Sequence, residues 1–572
     1  MLDLDLKRAL TDLDLKGALT GGVKLVERFG EEAYFAALCV RSGMVRPELP
    51  HRVARMLLAF DRHGLLGGAV AVGAIRHGDR PAVIDERGEL TFKQLDERSN
   101  ALANAWLDHG LEPGDGVAIL ARNHRGFLES VFAAAKCGAK IVLLNTSFAG
   151  PQIREVATRE GTDLLVYDDE YGETLEGIDP PRGRWRAWTD EESEDEDTLE
   201  SLIAAGSTDA PPKAGASPRI VILTSGTTGT PKGAPRSEPR SLALVGGVLS
   251  KVPFRAREVT ELCVPMFHAL GFAMATLALG LGSTLVIRRR FDPEETLESL
   301  EQHECTSLIV VPVMLQRLIE LGDQPREDRD LSALKIVFVG GSQLGTEVCK
   351  RALAAFGPVV YNLYGSTEVA YATIATPEDL EHEPGCVGGV VRGSVVKILD
   401  EDGKELPAGE SGRIFVANSS QFEGYTGGEN KERVKGLMSS GDVGHFDHEG
   451  RLFIDGRDDE MIVSGGENVF PHEVEELLAG HEAIEEAAAV GVEDEKFGQR
   501  LKAFVVLRDG QQVSEDDLKE YVRDNLARYK VPREVVFIDS LPRNPTGKVL
   551  KRELLEQDED SEQEKVEQQA SD

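Results

Sequence analysis

The sequence predicts an α/β protein: a large N-terminal domain with parallel sheets covered on both faces, followed by a smaller α+β unit. Three observations carry this. The chain has 572 residues, 41% of them hydrophobic, enough for an ordinary core without disulfide or metal staples. Short apolar runs alternate with longer helical ones from about residue 71 to 171 and again from Arg219 past Val339, the rhythm of strands joined by crossover helices. After Gly412-Arg-Ile-Phe-Val416 the composition turns to strands and tight turns, and from Arg457 to Leu555 about a hundred residues form a unit of domain size.

In chain order, residues 1–70 are expected as an N-terminal helical extension, 71–456 as the large domain, 457–556 as the small C-terminal domain, and 557–572 as a disordered acidic tail. The first twenty residues echo themselves, Asp3-Leu-Asp-Leu-Lys-Arg-Ala-Leu10 and then Asp12-Leu-Asp-Leu-Lys-Gly-Ala-Leu19. Two copies fall short of a solenoid and read as an amphipathic arm. Asp3, Asp5, Asp12 and Asp14 among the leucines exclude the apolar stretch of a signal peptide. The run from Gly64 to Ile75 is apolar but shorter than the ~18 residues a membrane span requires. Gly116-Val-Ala-Ile-Leu120 and Ile141-Val-Leu-Leu144 read as strands around a helix from Gly126 to Lys136. The acidic stretch from Thr189 to Thr198, with the Pro/Ala/Gly-rich segment that follows to Pro218, reads as a surface loop.

Sixty-four basic residues against 99 acidic ones leave a net charge of −35, which argues against general binding to nucleic-acid phosphates. Such a surface stays soluble where salt screens its self-repulsion. With arginines outnumbering lysines about two to one, a salt-rich cytoplasm is expected; an ordinary acidic cytosolic protein is the alternative. The six cysteines are scattered without a C-x-x-C pair, which disfavours a zinc module or disulfide framework and fits a reducing cytoplasm.

The strand-like Ile220-Val-Ile-Leu223 runs into Thr224-Ser-Gly-Thr-Thr-Gly-Thr-Pro-Lys-Gly233. Small hydroxyl residues and glycines let backbone N–H and side-chain O–H groups converge on an oxyanion, and Lys232 adds charge. A lone glycine-rich loop would more often be a solvated linker, but ten residues in this order are far less common. The spacing lacks the G-K-[ST] of a Walker A loop, so this is a phosphate loop of another kind.

This loop resembles the signature of the adenylate-forming superfamily of acyl-CoA synthetases, peptide-synthetase adenylation domains and luciferases. The resemblance runs in register from about Leu90 to Leu555 and is strongest to bacterial fatty-acid–CoA ligases of the long-chain acyl-CoA synthetase type. Arg122-Asn-His-Arg-Gly126 and Asn145-Thr-Ser-Phe-Ala-Gly150 have similar counterparts there. It implies a large AMP-binding domain of layered sheets with a small β-rich subdomain, and a small mobile C-terminal lid. It also implies that Thr224, Ser225, Gly226, Thr227, Thr228, Gly229 and Lys232 hold the phosphates of ATP.

The remaining motifs are read beside that resemblance. In Pro265-Met-Phe-His-Ala-Leu-Gly-Phe272 a lone His among apolar groups is more often packed core, but the resemblance gives His268 a part in positioning the acyl substrate, without proton transfer. Ile336-Val-Phe-Val-Gly-Gly-Ser342 reads as a strand ending at a ligand crevice. The resemblance sets Gly340, Gly341 and Ser342 beside the adenine and the acyl pocket. Tyr361-Asn-Leu-Tyr-Gly-Ser-Thr-Glu368 offers an aromatic face, a close-approach glycine, a hydroxyl and a carboxylate. These suit purine stacking by Tyr364 beside Asn362 and Gly365, a phosphate hydrogen bond from Thr367, and Mg²⁺ coordination by Glu368.

Asp442, in Ser439-Ser-Gly-Asp442, would ordinarily cap its own turn but matches the family's ribose-binding Asp. Fifteen residues on, Arg457 matches an Arg that approaches the nucleotide, and Asp459 the hinge between the domains. Gly465 and Gly466 match a glycine loop that lines the pantetheine tunnel, although turn geometry alone would explain them. In Pro542-Arg-Asn-Pro-Thr-Gly-Lys-Val-Leu-Lys-Arg552, Lys548 matches the catalytic Lys, with Lys551 as a bystander.

The expected function is ATP-dependent activation of a medium- or long-chain fatty acid to an acyl-adenylate, then thioesterification to coenzyme A. Mg²⁺ is the expected cofactor, the location cytoplasmic, and any membrane contact peripheral at most; a homodimer is left open. An aryl-CoA ligase is the alternative within the class. A peptide-synthetase module is not expected, as no carrier segment follows the Lys548 motif, and nothing selects for luciferase chemistry. A nucleotide-binding regulatory protein without turnover is the reading from another class, disfavoured by the presence of Lys548, Glu368 and Asp442. A membrane-bound scaffold is a third, opposed by the acidic arm.

Overall fold

The computed structural model describes residues 30–190, 197–224, 231–238, 241–428, 430–458, 460–464, 467–494, 498–544 and 547–558. The leucine-rich arm, most of the acidic stretch near residue 190 and positions 559–572 lie outside the described residues.

The expected α/β fold is present as two mainly parallel sheets, an antiparallel subdomain and a separate C-terminal sheet. The first sheet has six strands in the order Arg184–Trp188, Thr162–Asp168, Gly116–Leu120, Lys140–Leu143, Arg219–Thr224, Lys232–Ser237, all parallel but for the last. The nine-stranded sheet has six parallel strands at its centre, among them Val259–Leu262, Ser307–Val310, Ile336–Gly340 and Val360–Ser366, with antiparallel strands at both ends. Residues from Ser394 to Arg457 form a five-stranded antiparallel sheet. The C-terminal domain begins with the strand Ile462–Ser464 and builds its own five-stranded sheet with the helices Pro471–Ala479 and Glu515–Asn525.

Between the layers lies the helix Arg125–Lys136, whose residues are all buried. Even Lys136 is inside, its ammonium bonded to Asp96 (2.7 Å), Ser99 (2.8 Å) and Asn100 (2.7 Å), which offsets the desolvation of its charge. The motif just before this helix knits the layers together. Asn123 donates to Val264 O (2.9 Å) and accepts from Met266 N–H (2.8 Å), His124 meets Asp168 (2.8 Å), and Arg125 holds Asp85 through Nη2 (2.5 Å) and Nε (3.0 Å). The Asn123 bonds fix the turn that carries His268.

The helix Pro50–His77 packs on the helices Phe92–Asp108, Arg125–Lys136 and Ala269–Gly280. The boundary expected at 70/71 therefore falls inside a helix built into the large domain. At Gly64 (φ 71°, ψ −168°) the helical dihedrals break, and the Glu238 carboxylate accepts from Leu66 N–H (2.9 Å) to cap the second segment. At the far end, a helix over 551–558 runs two residues into the expected tail. Among the described residues no helix is long and apolar enough to cross a membrane.

Candidate active site

The carboxyl ends of the parallel strands Val259–Leu262, Ser307–Val310, Ile336–Gly340 and Val360–Ser366 open into one cavity of about 1800 Å³, as expected of ligand sites in such sheets. Lys232, His268, Gly341, Ser342, Asn362, Tyr364, Gly365, Thr367, Glu368, Asp442, Arg457 and Lys548 all line it. Residues more than 300 apart in sequence thus meet at one place. Five of the expected phosphate-loop residues, Ser225, Gly226, Thr227, Thr228 and Gly229, lie outside the described residues, as do the Thr224 side chain, Asp459, Gly465 and Gly466. The strands flanking the loop are described and pair antiparallel, with Thr224 opposite Lys232.

Tyr364 and Glu368 belong to a second hairpin, Val360–Ser366 against Ala370–Ala375. Gly365 is obligatory there, because a Cβ would run into the Ala370 carbonyl oxygen. Gly341, at φ 96°, turns the chain away from its strand in a conformation that disfavours other residues. In the antiparallel subdomain Asp442 and Arg457 are direct cross-strand partners, which accounts for their spacing. Arg457 Nη1 donates to Asp442 Oδ1 (3.2 Å) and the Tyr364 hydroxyl to Asp442 Oδ2 (2.6 Å). Burial raises the Asp442 carboxyl above its ordinary range, while Arg457 and Tyr364 act in the opposite sense. Tyr364 therefore does more than present a ring: its hydroxyl orients the carboxylate that faces the cavity.

Glu368 is buried and held on both oxygens, by Ser366 Oγ at Oε2 (2.8 Å) and by the Tyr425 hydroxyl at Oε1 (2.6 Å). Arg236 donates to the carbonyls of Thr367 and Ser420 and sets its charge near Glu368. Burial lowers its pKa to about 10, leaving it protonated at neutral pH. Lys232 lies over the Tyr425 ring at 5.5 Å. A fixed carboxylate facing the cavity fits Mg²⁺, which takes one or two carboxylates and fills its shell with phosphate oxygens and water. Among the described residues no three His, Cys, Asp or Glu cluster as a metal cage of their own.

His268 precedes the helix Ala269–Gly280 without a side-chain capping bond and tilts against Phe267, with ring centroids 4.5 Å apart. Its Nε2 is buried and has no hydrogen-bond partner among the described residues, and desolvation lowers its pKa to about 4. A neutral imidazole is thus presented to the cavity at physiological pH, able to donate to a carboxylate oxygen.

The C-terminal domain closes the site. Gly547, at φ 77°, packs so tightly on Val313 that no side chain fits, and Lys548 follows directly. The Lys548 backbone bonds reciprocally with Asn544, whose Oδ1 accepts from Lys548 N–H (2.9 Å) and whose N–H donates to Lys548 O (2.9 Å). Across the domain boundary the Gln343 carboxamide meets the His472 ring (2.5 Å) and Glu476 accepts from Thr346 N–H (3.2 Å). His472, between Glu475 and Glu476, has its pKa raised to about 9, and both glutamates are lowered to about 2. Lys551, expected as a bystander, ties Glu460 (2.8 Å), next to the residue expected as the hinge, to Glu475 (2.9 Å).

Sequence reasoning missed Arg236, Ser366 and Tyr425. Ser366 sat inside a recognised motif, and Arg236 lies four residues after Lys232, where alternation along the return strand could have flagged it. Nothing local marks Tyr425.

A crevice at strand ends that gathers a buried carboxylate, a hydroxyl-held glutamate and a lysine delivered by a second domain is the arrangement the sequence resemblance implies for an adenylate-forming enzyme. The chain belongs to that family: the AMP-binding enzyme model matches residues 71–426 and the AMP-binding enzyme C-terminal domain residues 473–548. A fatty acid–[acyl-carrier-protein] ligase of Streptomyces coeruleorubidus is 32% identical over 501 residues, 83% of this chain and 92% of the relative. An indoleacetate–CoA ligase of Aromatoleum aromaticum is 32% identical over 520 residues, covering 86% and 96%. Among solved structures, the amide bond synthetase from Marinactinospora thermotolerans superposes with a TM-score of 0.75 at 27% identity, covering 86% of this chain and 99% of that one. A Mycobacterium tuberculosis fatty acyl CoA synthetase does so at 0.67 and 26%, covering 87% and 99%.

Proposed function

We propose that this protein is a cytoplasmic, ATP-dependent ligase that activates medium- or long-chain fatty acids to acyl-adenylates and transfers the acyl group to coenzyme A. The observation that supports this most is the apolar extension of the cavity beyond His268. Leu270, Phe272, Met274, Leu277 and Leu279 line it along the helix Ala269–Gly280, opposed by Met56, Phe60, Leu66 and Val72 of the helix Pro50–His77. Twelve residues at 1.5 Å each extend about 18 Å, the length of an extended acyl chain of about fourteen carbons.

In this reading the carboxylate lies at His268 with its chain along that helix. It attacks the α-phosphorus of ATP, forming a carboxyl–phosphate bond as pyrophosphate leaves. Asp442 accepts from the ribose hydroxyls, Tyr364 and Arg457 hold Asp442, Asn362, Gly341 and Ser342 border the adenine, and the loop from Thr224 with Lys232 holds the phosphates. Lys548 donates to the carboxylate and the α-phosphate as their negative charges approach. Mg²⁺ held by Glu368 would offset phosphate charge. Alignment of the two reactants contributes roughly 7–11 kcal/mol to lowering the barrier. The thiol then attacks the acyl carbon and AMP leaves, after rotation about Asp459 withdraws Lys548 and presents Gly465 and Gly466 to the pantetheine.

The test is AMP formation at molar salt across acids from acetate to palmitate, with benzoate and indoleacetate as aryl controls and a holo-acyl-carrier protein as the alternative thiol. A maximum among the longer fatty acids that requires coenzyme A and is abolished in Lys548→Ala supports the reading. A maximum with an aryl acid, or tight ATP binding without turnover on any acid, overturns it.

A further inference from the structure

Lys548 reaches the cavity on a chain reversal whose two sides are bonded to each other: Arg543 bridges antiparallel to Val549, and Leu550 N–H donates to Pro542 O (2.8 Å). The Arg543 side chain folds back along this reversal. Its Nη1 donates to the Gly547 carbonyl (2.5 Å), the oxygen of the peptide that joins Gly547 to Lys548. Its Nη2 donates to Glu486 Oε1 (2.8 Å) on the small domain's sheet. Both side chains are mostly buried, and both line the same cavity as Lys548.

The sheet is built to put a carboxylate at that point. Along the strand Ile484–Asp494, Glu486, Ala488 and Val490 alternate onto one face, where Ala488 and Val490 pack with Leu541, Val549 and Leu554. Ile484 pairs with Leu507 and Glu486 with Val506, so Glu485 is an extra residue that bulges the strand. The bulge turns Ile484 to the opposite face, into the core with Val474 and Leu518. Glu486 is therefore the last side chain of the face that carries the Lys548 segment, and it receives the guanidinium there. A planar guanidinium engages two acceptors in fixed directions, which a flexible ammonium does less well. The Arg543 fork thus holds the Gly547–Lys548 peptide at a set distance from the sheet.

We propose that Arg543, clamped by Glu486, is the positioning residue for Lys548: it fixes the peptide from which the lysine side chain projects, so that the small domain delivers the ammonium in register with the reacting groups. Asn544 holds the Lys548 backbone from within the segment, and Arg543 ties that unit to the sheet. The tip is also pressed on the large domain, where Gly547 meets Val313 of the helix Pro312–Glu320. A segment held at the tip but released from its own sheet would tilt, and the tilt would appear at Lys548. A misplacement of ~1 Å near a reacting centre costs about 100-fold in rate. The inference rests on the proposed part of Lys548 in adenylate formation and is independent of which acid is activated.

The test separates the two half-reactions in the full chain. Arg543→Met keeps the apolar stem and removes both donors; pyrophosphate release with tetradecanoate and no coenzyme A should slow about 100-fold, with KM for ATP within twofold of wild type. Acyl transfer from synthetic tetradecanoyl-adenylate to coenzyme A, which does not use Lys548, should stay within twofold. A merely structural role would damage both steps, since both need the small domain. Arg543→Lys should recover part of the lost rate, and Glu486→Gln should fall between Arg543→Met and wild type. In a Lys548→Ala background, Arg543→Met should cost nothing further, as expected of two residues that act as one unit. Amide hydrogen exchange at Gly547 and Lys548, measured without substrates, should quicken at least tenfold in Arg543→Met. Equal losses in the two half-reactions, KM for ATP raised more than tenfold, a further loss in the Lys548→Ala background or unchanged amide exchange each overturn the proposal. Undiminished adenylate formation in Lys548→Ala overturns it together with the proposed part of Lys548. Quickened exchange in a chain that activates no fatty acid supports the clamp and removes the fatty-acid reading alone.

Discussion

Replacing Tyr364 by Phe separates two roles the side chain has on the proposed nucleotide site. The ring is retained, so a residue that acts only by stacking on a purine would tolerate the change. The hydroxyl is lost, and with it the 2.6 Å hydrogen bond to Asp442 Oδ2. Asp442 is largely withdrawn from water and raised in pKa by burial, so each group that favours its ionised form matters. A hydrogen bond to such a charged group is worth about 1.5–3 kcal/mol. At 1.4 kcal/mol per tenfold, ATP binding should weaken about 10- to 100-fold. Titration calorimetry with ATP alone reads this, and an unchanged melting temperature establishes that the fold is intact. Because the lost donor held the Asp442 pKa down, the acid limb of kcat/KM for ATP should also move to higher pH. The contrast with 2′,3′-dideoxy-ATP isolates the contact: wild type should discriminate against the analogue more strongly than Tyr364→Phe does. A variant that binds ATP within twofold of wild type, with the same discrimination, would refute the reasoning.

Glu261 lies buried on the strand Val259–Leu262, where it accepts from Ser299 Oγ (2.6 Å) and desolvation raises its pKa from 4.5 to about 7. The folded chain thus keeps a proton that the unfolded chain releases, so this stability is full below pH 4.5 and lost as pH rises through about 7; Glu261→Gln should remove about 3 kcal/mol of the difference in unfolding free energy between pH 4.5 and 8, read by urea denaturation. His268→Leu should raise KM for the fatty acid about 10- to 100-fold by removing one donor to a carboxylate. As the wild-type imidazole titrates only near pH 4, the pH–rate profile from pH 6 to 8 should keep its shape, and a profile altered by the substitution would restore a proton-transfer role. His472 has a raised pKa, so its contribution to domain closure is complete below pH 6.5 and lost as pH rises through about 9. Pyrophosphate release should fall above that pH in wild type, and His472→Gln should be slower at pH 7.5 and lack this His-dependent loss.

Much of the site was legible because its parts are local. A strand running into Thr224–Gly233, a Tyr-Gly-Ser-Thr-Glu run and the Ser-Ser-Gly-Asp run each carry their chemistry within about ten residues, although Asp442, expected in a turn, lies on the strand Leu437–Phe446. The alternation of strands and helices likewise determined the fold class, since parallel strands require crossovers. The edge expected at 70/71 lies within the helix Pro50–His77, for a physical reason. Apolar spacing identifies a helix such as Pro50–His77 but not the helices it packs against.

The partners that give the site residues their properties were decided only by the tertiary structure. Tyr425 reaches Glu368 from 57 residues away, Arg236 reaches the Thr367 carbonyl from 131, and Asn123 fixes the backbone at Met266 from 143. Such pairs leave no periodic trace in the chain, because their geometry depends on how whole layers pack. The same holds for residues 40–65. Composition shows the segment to be basic and apolar, but only the packed helices bring its Val45, Met56, Phe60 and Leu65 to the cavity, since that cavity exists only where separate segments converge.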